Sequence, residues 1–202
     1  MSENTDVLVL YAPIREADMT KPLYPECRDK EVRASKSDKT KREKYLVWKL
    51  LEKAVEEQFN IEFANLEFTK CANGKWICPE LCFSLSHSGD IVAAAVAKRP
   101  VGVDVQKFQA IREGLAERIL TAGELGILDT LPPDKRDEFI LSAWAGKESA
   151  FKRDGGECLA PRQRESKGVR VTHFEYNSEK YVLAVAASDA DEKIEIRFTE
   201  EI

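Results

Sequence analysis

Two long amphipathic helix patterns, one in each half of the 202-residue chain, constrain the fold more than any other feature. Apolar side chains recur at helical spacing from Lys41 to Phe59 and from Asp134 to about Lys152, with charged residues on the opposite face. Pro132-Pro133 suits the start of the second helix, because proline is tolerated in a first helical turn. Gly155-Gly156 is typical of its end. Each half therefore supplies one long helix.

Short apolar runs of strand length accompany both helices and predict an α+β fold. Asn73-Gly74 predicts a turn, Ser86-His87-Ser88-Gly89 a polar bend, and Lys107 to Leu131 a loop-rich region with short helices. We expect two similar α+β lobes, residues 1–100 and 101–202, in one compact body with a cleft between them. The last three strands are expected to form a meander. The predicted strands are Val7–Tyr11, Cys82–Leu85, Ile91–Ala97, Val101–Val105, Val169–Tyr176, Tyr181–Ala187 and Lys193–Phe198.

Composition and charge argue against several classes of protein. A hydrophobic fraction of 43% and a charged fraction of 33% are typical of a globular chain rather than a disordered one. The longest apolar run, Ile91 to Ala97, is far shorter than the about 20 residues that a membrane-spanning helix needs. A net charge of −5 argues against general affinity for nucleic acid. Met1 to Asp6 lacks the basic and apolar regions of a signal peptide, so we expect a cytoplasmic protein.

The cysteines are expected to be reduced, because their number is odd and the cytosol keeps thiols reduced. A zinc site at Cys78, Cys82 and His87 is the alternative. It is disfavoured because a structural zinc ion needs a complete, tight set of ligands. We therefore expect ordinary buried thiols at Cys27, Cys71, Cys78, Cys82 and Cys158.

A basic segment from Arg28 to Lys53 stands out on this acidic chain. It contains ten Lys or Arg residues against five acids. Such a local excess of positive charge favours a small anionic ligand, and the alternative is a solvated helix face. His87 between Ser86 and Ser88 is a second candidate for phosphate binding, with imidazole and hydroxyl groups as donors. Its alternative is a hydrogen-bonded histidine in a turn.

Two acidic residues lie in contexts that favour metal-dependent phosphate chemistry. Asp104 sits between Val103 and Val105 in an apolar strand pattern, so its carboxylate needs a partner away from the core. Glu148 lies on the second helix, with Lys152 one turn later. An Asp and a Glu from distant segments, both near lysines, are typical of an oxygen-ligand Mg²⁺ site beside phosphates. The alternatives are backbone amides around Asp104 and a surface ion pair for Glu148.

Taken together, these segments resemble the Sfp-type 4′-phosphopantetheinyl transferase superfamily over most of the chain, from about Cys27 to Ala187. The family pattern is a serine-histidine-serine bend, a glycine-hydrophobic-aspartate strand, and Trp-x-x-Lys-Glu with a lysine four residues later. A glycine-lysine-proline turn precedes them, and here Trp76 replaces the proline. The matching residues are Gly74-Lys75, Ser86-His87-Ser88, Gly102-Val103-Asp104, Trp144 with Lys147-Glu148, and Lys152.

The resemblance implies a fold, a set of ligands and their contacts. It implies two α/β lobes related by a pseudo-twofold, each with a long helix against a small, mostly antiparallel sheet, and coenzyme A in the cleft between them. The Mg²⁺ ligands would be Asp104 and Glu148. The implied coenzyme A contacts are Lys147 and Lys152 on the pyrophosphate, Ser86, His87 on the 3′-phosphate, and, on the nucleotide phosphates, Lys75 with one or more of Arg28, Lys30, Arg33, Lys41 and Arg42.

The implied reaction moves the 4′-phosphopantetheine arm of coenzyme A to a serine of an apo acyl or peptidyl carrier protein, releasing 3′,5′-ADP. Asp104, Glu148 and Lys152 would be the catalytic residues, with Glu148 accepting the serine proton. Many bacterial relatives have a second acid where this chain has Gln106. Either Gln106 is a weak metal ligand or a water takes its place, and we favour the water.

Three rival functions remain open from the sequence. A catalytically weak coenzyme A-binding homologue is favoured by Gln106. A Mg²⁺-dependent phosphohydrolase would act without a carrier protein. A nucleic-acid-binding module built on the basic segment is disfavoured by the net charge. We expect a monomer, because each chain would supply both sides of the cleft.

Overall fold

A four-stranded sheet and a three-stranded sheet, each covered by one long helix, carry the candidate site residues. The computed structural model describes residues 5–72, 74–155, 160–163, 166 and 168–202. Within these residues, no helix is both long enough and apolar enough to cross a membrane. In chain order the elements are β1 Val7–Pro13, α1 Glu26–Arg33, α2 Asp38–Phe59, β2 Thr69–Lys70, β3 Trp76–Ile77, β4 Cys82–Ser88, β5 Ile91–Ala97, β6 Gly102–Lys107, α3 Leu115–Ile119, α4 Ala122–Thr130, α5 Pro133–Asp154, β7 Val169–Tyr176, β8 Glu179–Ala186 and β9 Ile194–Phe198, with 3₁₀ turns at Phe63–Asn65 and Pro161–Gln163.

Helix α2 packs on the larger sheet, whose strand order is β4-β5-β1-β9. It begins after Ser37, whose hydroxyl accepts a hydrogen bond from the Thr40 amide, and it ends before Asn60, which is left-handed. Its apolar face carries Trp48 and the neighbouring leucines and valines into the core. The helix predicted at Lys41 to Phe59 is therefore confirmed, with its start extended to Asp38.

Helix α5 packs in the same way on the smaller sheet, whose strand order is β6-β8-β7. Pro133 occupies the first turn, and Gly155 follows the last turn with a φ of 64°. Gly156, the second glycine of the predicted stop, lies outside the described residues, as does Asn73 of the predicted Asn73-Gly74 turn. The mixed α+β class predicted from the two long helices is confirmed.

Two predictions about the strands are wrong. Ser86-His87-Ser88 is not a bend, because β4 continues to Ser88 and the turn follows at Gly89-Asp90. The hydroxyls of Ser86 and Ser88 bind amides of β6, and these contacts keep the segment extended. The last three strands do not form a meander either: β7 and β8 pair as a hairpin, whereas β9 leaves them and pairs in parallel with β1.

The two sheets adjoin where β4 runs beside β6, and an apolar core fills the space between them. Val7 and Val9 of β1 enter this core from one sheet, and Val103 and Val105 of β6 enter it from the other. The division into 1–100 and 101–202 stays a prediction. Strand β9 crosses it, since this strand follows residue 101 in the chain but belongs to the larger sheet.

Candidate active site

The Asp104 carboxylate is buried in β6 and held by three side chains. Its Oδ1 accepts hydrogen bonds from Ser86 Oγ at 2.9 Å and from Lys152 Nζ at 2.8 Å. Its Oδ2 accepts one from Gln106 Nε2 at 2.8 Å. The flanking valines are fully buried, so the expectation that a core aspartate here needs polar partners is confirmed. These partners fix the direction of the carboxylate.

Glu148 lies on α5 close to Asp104 and is half-buried. Burial raises the pKa of the Glu148 carboxyl, the negative charge of Asp104 raises it further, and Lys152 lowers it. Among the described residues, the Glu148 carboxylate has no hydrogen bond or ion pair. Asp104 is therefore close enough to Glu148 to oppose the ionisation of the Glu148 carboxyl, and two acids this close are typical of a pair that shares a cation.

Gly102 allows β6 and α5 to approach closely enough to bring these two acids together. A Cβ at Gly102 would lie 1.8 Å from the Ser149 carbonyl oxygen and 2.7 Å from the Arg153 amide nitrogen. Contacts this short are impossible for any side chain, so the strand and helix backbones touch at this position. The glycine two residues before Asp104 thus sets the spacing between the strand and the helix that carries Glu148.

Lys152 links the two sheets beneath the acidic pair. Its Nζ donates to the Val103 carbonyl at 3.0 Å and the Leu85 carbonyl at 3.3 Å, in addition to Asp104. These acceptors belong to β4 and β6, the adjoining strands of the two sheets. The ammonium group therefore balances the Asp104 charge and also binds carbonyl groups at the junction.

Lys147 is not brought to this cluster. Its side chain is fully buried, and its Nζ donates to Glu124 Oε2 at 2.5 Å and to the Ile119 carbonyl at 2.8 Å. The contact ties the α3–α4 segment to α5. The pyrophosphate contact implied by the resemblance would require Lys147 to leave a buried ion pair, so the observed arrangement favours a structural role.

A cavity of about 320 Å³ opens beside Lys152. Its cationic residues come from α1, from the end of the turn before β3, and from α5. Lys75 Nζ also donates to the Lys152 carbonyl at 3.1 Å, which connects that turn to the end of α5. Positive charge and an apolar wall thus lie together next to the acidic pair. The lining residues are Arg28, Lys75, Trp76, Phe83, Ser84, Leu85, Phe151, Lys152 and Gly155.

Arg28 is a buried cation at this cavity, with only 5% of its surface exposed. Its guanidinium stacks on Trp48 at 4.7 Å from the ring centroid, Nη1 lies 3.2 Å from Glu31 Oε1, and Nη2 donates to the Lys44 carbonyl. Burial lowers the pKa of Arg28, while Glu31 acts in the opposite direction. Within the described part of the chain, its buried Nε has no hydrogen-bond partner. A buried, incompletely satisfied guanidinium favours an anionic ligand.

Glu31 organises this side of the cavity, and the sequence reasoning missed it. Its carboxylate accepts from Trp76 Nε1 at 3.0 Å and lies 3.1 Å from Lys70 Nζ. Burial raises the pKa of Glu31, but the contacts with Lys70, Arg28 and Trp76 outweigh this effect and the net pKa is lowered. The one hint in the sequence is an acid three residues after Arg28 in a basic segment.

The remaining predicted phosphate ligands are scattered. Lys30 is exposed and pairs with Glu26, and Arg42 Nε is buried without a hydrogen-bond partner in the described residues. Arg33 and Lys41 line a separate cavity of about 240 Å³ and pair with neighbouring aspartates. None of these four lines the cavity beside Lys152. The basic segment therefore contributes Arg28 to this cavity, and most of its charges form surface ion pairs.

His87 and Ser86 have different environments although they are adjacent. The His87 side chain is half-exposed, with Nδ1 3.9 Å from Glu43 Oε2. Ser86 is buried and donates its only hydroxyl proton to Asp104. His87 is thus placed to meet a ligand, whereas Ser86 has no proton left to donate to a phosphate.

The thiols at Cys27, Cys71, Cys78 and Cys82 are free, and Cys158 lies outside the described residues. The expectation of burial is confirmed for Cys78 and wrong for Cys27, which is exposed. Cys78 donates to Glu80, and burial together with this contact raises the pKa of its thiol to about 11. Among the described residues, no group of three or more His, Cys, Asp or Glu side chains could hold a metal ion, so the candidate magnesium site offers two carboxylates beside an amide.

Comparisons with known proteins identify one family by its model and by individual relatives. Residues 100–186 match the family model of the 4′-phosphopantetheinyl transferase superfamily. The chain is 31% identical over 115 residues to 4′-phosphopantetheinyl transferase ffp of Bacillus subtilis, covering 55% of this chain and 51% of that relative. It is 31% identical over 109 residues to psf-1 of Bacillus pumilus, covering 52% and 47%, and 34% identical over 81 residues to AcpT of Escherichia coli K12, covering 39% and 42%. The matches span about half the length of these curated relatives.

Proposed function

We propose that this chain, which is similar to 4′-phosphopantetheinyl transferases over about half of its length, transfers the 4′-phosphopantetheine arm of coenzyme A to a serine of an apo acyl or peptidyl carrier protein. The other product is 3′,5′-ADP, and the reaction depends on Mg²⁺. The observation that carries this proposal is the pairing of Asp104 with Glu148 beside a cavity that contains Lys152 and Arg28.

The donor set of this site fits a hard divalent cation. Carboxylate oxygens are the ligands that Mg²⁺ prefers, and the Glu148 carboxylate stands beside Asp104 without a hydrogen bond or ion pair in the described residues. Asp104 and Glu148 would hold the ion, which would supply neutralisation of charge on the phosphate oxygens. Gln106 donates its amide N–H to Asp104 Oδ2. We favour a water over Gln106 as a further ligand, because the amide oxygen of Gln106 carries no charge.

Coenzyme A occupies the cleft that contains the cavity of about 320 Å³ in this proposal. Arg28 and Lys75 bind phosphate oxygens, because they are cations on its wall. Lys152 donates its three N–H groups within the protein and contributes its positive charge beside the phosphates. His87, half-exposed at the end of β4, contacts the 3′-phosphate. The aromatic wall packs against the apolar parts of the coenzyme.

The proposed chemistry is a single displacement at phosphorus. The carrier serine oxygen attacks the β-phosphorus, and the bond from that phosphorus to the oxygen bridging to the 3′,5′-ADP portion breaks with its electron pair on the leaving group. Glu148 takes the serine proton directly or through a water, and its raised pKa makes its carboxylate a stronger proton acceptor. Lys152 stabilises charge that develops on the phosphate oxygens.

The proposed architecture has two lobes related by a pseudo-twofold. Its support is that α2 and α5 each have 22 residues and each cover one sheet. Both halves of the chain contribute residues to the cavity, which supports a monomeric enzyme. A cytoplasmic location is part of the proposal, because the substrates, coenzyme A and apo carrier proteins, are found there.

Mass spectrometry of an apo carrier protein incubated with the chain, coenzyme A and Mg²⁺ tests the function. The expected result is the mass of one phosphopantetheine added to a serine, with release of 3′,5′-ADP. Asp104→Ala and Glu148→Gln are expected to abolish transfer, and Lys152→Ala to slow it by about 2–4 kcal/mol of transition-state stabilisation. Asp137→Asn, an exposed acid on the same helix, is the control expected to retain activity. Transfer that persists in Asp104→Ala or Glu148→Gln contradicts the assignment.

A coenzyme A-binding homologue without catalysis is the second candidate, and Gln106 favours it. The amide carries no charge, so the metal site holds one negative charge fewer than a site with three acids. Coenzyme A binding without Mg²⁺-dependent release of 3′,5′-ADP is the result that selects this candidate. Release of 3′,5′-ADP in the absence of any carrier protein would instead indicate a phosphohydrolase.

A further inference from the structure

Three serine hydroxyls join the two sheets along β4 and β6. Ser84 Oγ accepts from the Val103 amide at 3.0 Å, Ser86 Oγ from the Val105 amide at 3.1 Å, and Ser88 Oγ from the Lys107 amide at 3.0 Å. Both partners advance by two residues at each step, so the two strands run in the same direction at constant register. We call these three hydroxyls the serine seam.

The seam satisfies backbone groups that would otherwise be buried without partners. Strand β6 is the outer strand of the smaller sheet and pairs with β8 on one side only. Alternate residues of an antiparallel strand direct their amides to opposite sides, so the amides of Val103, Val105 and Lys107 point away from β8. A hydroxyl can both accept and donate, which lets a side chain of β4 take the place of a backbone carbonyl across the wider gap between the sheets.

Successive side chains of β4 point to opposite faces of the strand, one apolar and one polar. Phe83 and Leu85 pack towards the core under α2, whereas the serines between them point to β6. Lys152 completes the junction by binding the carbonyls of Leu85 and Val103. Polar side chains thus replace a backbone ladder along the whole contact.

Ser86 differs from the other two serines because it also touches the acidic pair. While it accepts from the Val105 amide, it donates to Asp104 Oδ1 at 2.9 Å. We propose that the serine seam sets the register between the two sheets and that Ser86 is a positioning residue, which orients the Asp104 carboxylate instead of binding a phosphate. The catalytic part of this inference rests on the proposed function.

Amide hydrogen exchange tests the seam without any ligand. Ser86→Ala is expected to speed exchange of the Val105 amide by about tenfold or more and to leave the Lys107 amide unchanged. Ser88→Ala is the matched control and should show the reverse pattern, because its hydroxyl binds Lys107 and has no contact with Asp104. Unchanged exchange at Val105 in Ser86→Ala overturns the seam, whatever the enzyme assay shows.

Metal dependence tests the positioning role. Ser86→Ala is expected to raise the Mg²⁺ concentration for half-maximal transfer by about tenfold, whereas Ser88→Ala changes it by less than about twofold. Affinity for 3′,5′-ADP in EDTA should be the same in Ser86→Ala and the wild type. Weaker binding of 3′,5′-ADP in EDTA, with unchanged Mg²⁺ dependence, would instead make Ser86 a phosphate ligand and overturn the proposal.

Two further variants keep the test decisive. Ser86→Thr retains the hydroxyl. Its exchange rate at the Val105 amide and its Mg²⁺ dependence are therefore expected to match those of the wild type and not those of Ser86→Ala. If Ser86→Ala does not fold, Ser86→Cys fills the same space with a weaker donor and should show both effects in the same direction. A wild-type chain without transferase activity would refute the proposed function, and the exchange experiment would still decide the seam.

Discussion

At Gly102, the addition of a single methyl group is expected to reduce both the stability of the protein and its activity. Gly102→Ala places a Cβ 1.8 Å from the Ser149 carbonyl oxygen. Because that oxygen is a backbone atom and the Cβ is fixed to the backbone of β6, no side-chain rotation relieves the clash, and α5 must move. We expect a loss of about 3 kcal/mol or more in the free energy of unfolding. Transfer should also fall sharply, because Asp104 and Glu148 lie on the two elements that are forced apart.

Urea denaturation of Gly102→Ala beside Gly126→Ala measures this effect. Gly126 lies in α4, and an added Cβ there meets no atom within 4 Å. Gly126→Ala is therefore expected to stabilise the protein by about 0.5–1 kcal/mol, as alanine does in a helix interior. Equal stabilities of the two variants would show that β6 and α5 do not touch as described.

Glu148 illustrates how a candidate site residue can oppose stability. Its carboxylate is half-buried, lies near the Asp104 charge and has no hydrogen bond or ion pair in the described residues. Glu148→Gln removes the charge while preserving the shape, so the metal-free variant should unfold at a higher urea concentration than the wild type. The measurement is denaturation in EDTA. A less stable variant would mean that the Glu148 charge is attracted rather than repelled by its surroundings.

At the scale of elements, the buried ion pair between Lys147 and Glu124 attaches the α3–α4 segment to α5. Lys147→Met leaves Glu124 without its buried cation and should cost about 3–5 kcal/mol in stability. Because the Lys147 ammonium is fully enclosed, the affinity for coenzyme A should change little.

Isothermal titration with coenzyme A and thermal unfolding, performed on the same sample, separate the two roles of Lys147. Glu124→Gln is the matched variant, since it disturbs the same pair from the other side and should destabilise without changing coenzyme A affinity. If Lys147→Met loses coenzyme A binding and Glu124→Gln does not, the structural role is wrong. Lys147 then binds the pyrophosphate, as the resemblance implies.

The elements themselves were largely predictable, because their patterns are local. The apolar periodicity of Lys41 to Phe59 and of Asp134 to Lys152 predicted α2 and α5, and the run at Ile91–Ala97 predicted β5. Helix α1 was missed because Glu26–Arg33 is almost entirely polar. The partner of β9 was also missed, since a strand's residues predict that it pairs but not with which strand.

For the whole molecule, β9 connects the end of the described chain to the larger sheet. Ile194 and Ile196 pack beside Tyr11 against the core between the sheets. Truncation after Glu192 is expected to reduce the free energy of unfolding by about 3 kcal/mol or more, on the scale of burying two isoleucine side chains. It also exposes the edge of β1, which should promote aggregation.

Thermal unfolding with light scattering measures both effects of the truncation. A control that ends at Thr199 keeps β9 and removes only three exposed residues, so it should behave like the full chain. If truncation after Glu192 leaves stability and scattering unchanged, β9 does not complete the sheet in solution.

How the site assembles in the whole molecule was only partly predictable. The Asp104 context and the family resemblance predicted that this acid meets Glu148, and the raised pKa of Glu148 is consistent with that pairing. The contacts of Glu31 and the serine seam could not be read from the sequence, because they join segments whose relative position is set by tertiary packing. Serines at alternate positions of β4 were the only local trace of the seam.

The parallel pairing of β1 with β9 also sets an order of events during synthesis. A ribosome releases β1 early, but the strand that lies beside it emerges only after every other described strand and helix. The larger sheet therefore stays one strand short until residue 198 has left the exit tunnel. Until then, the nascent chain presents an open β1 edge on which chaperones can act.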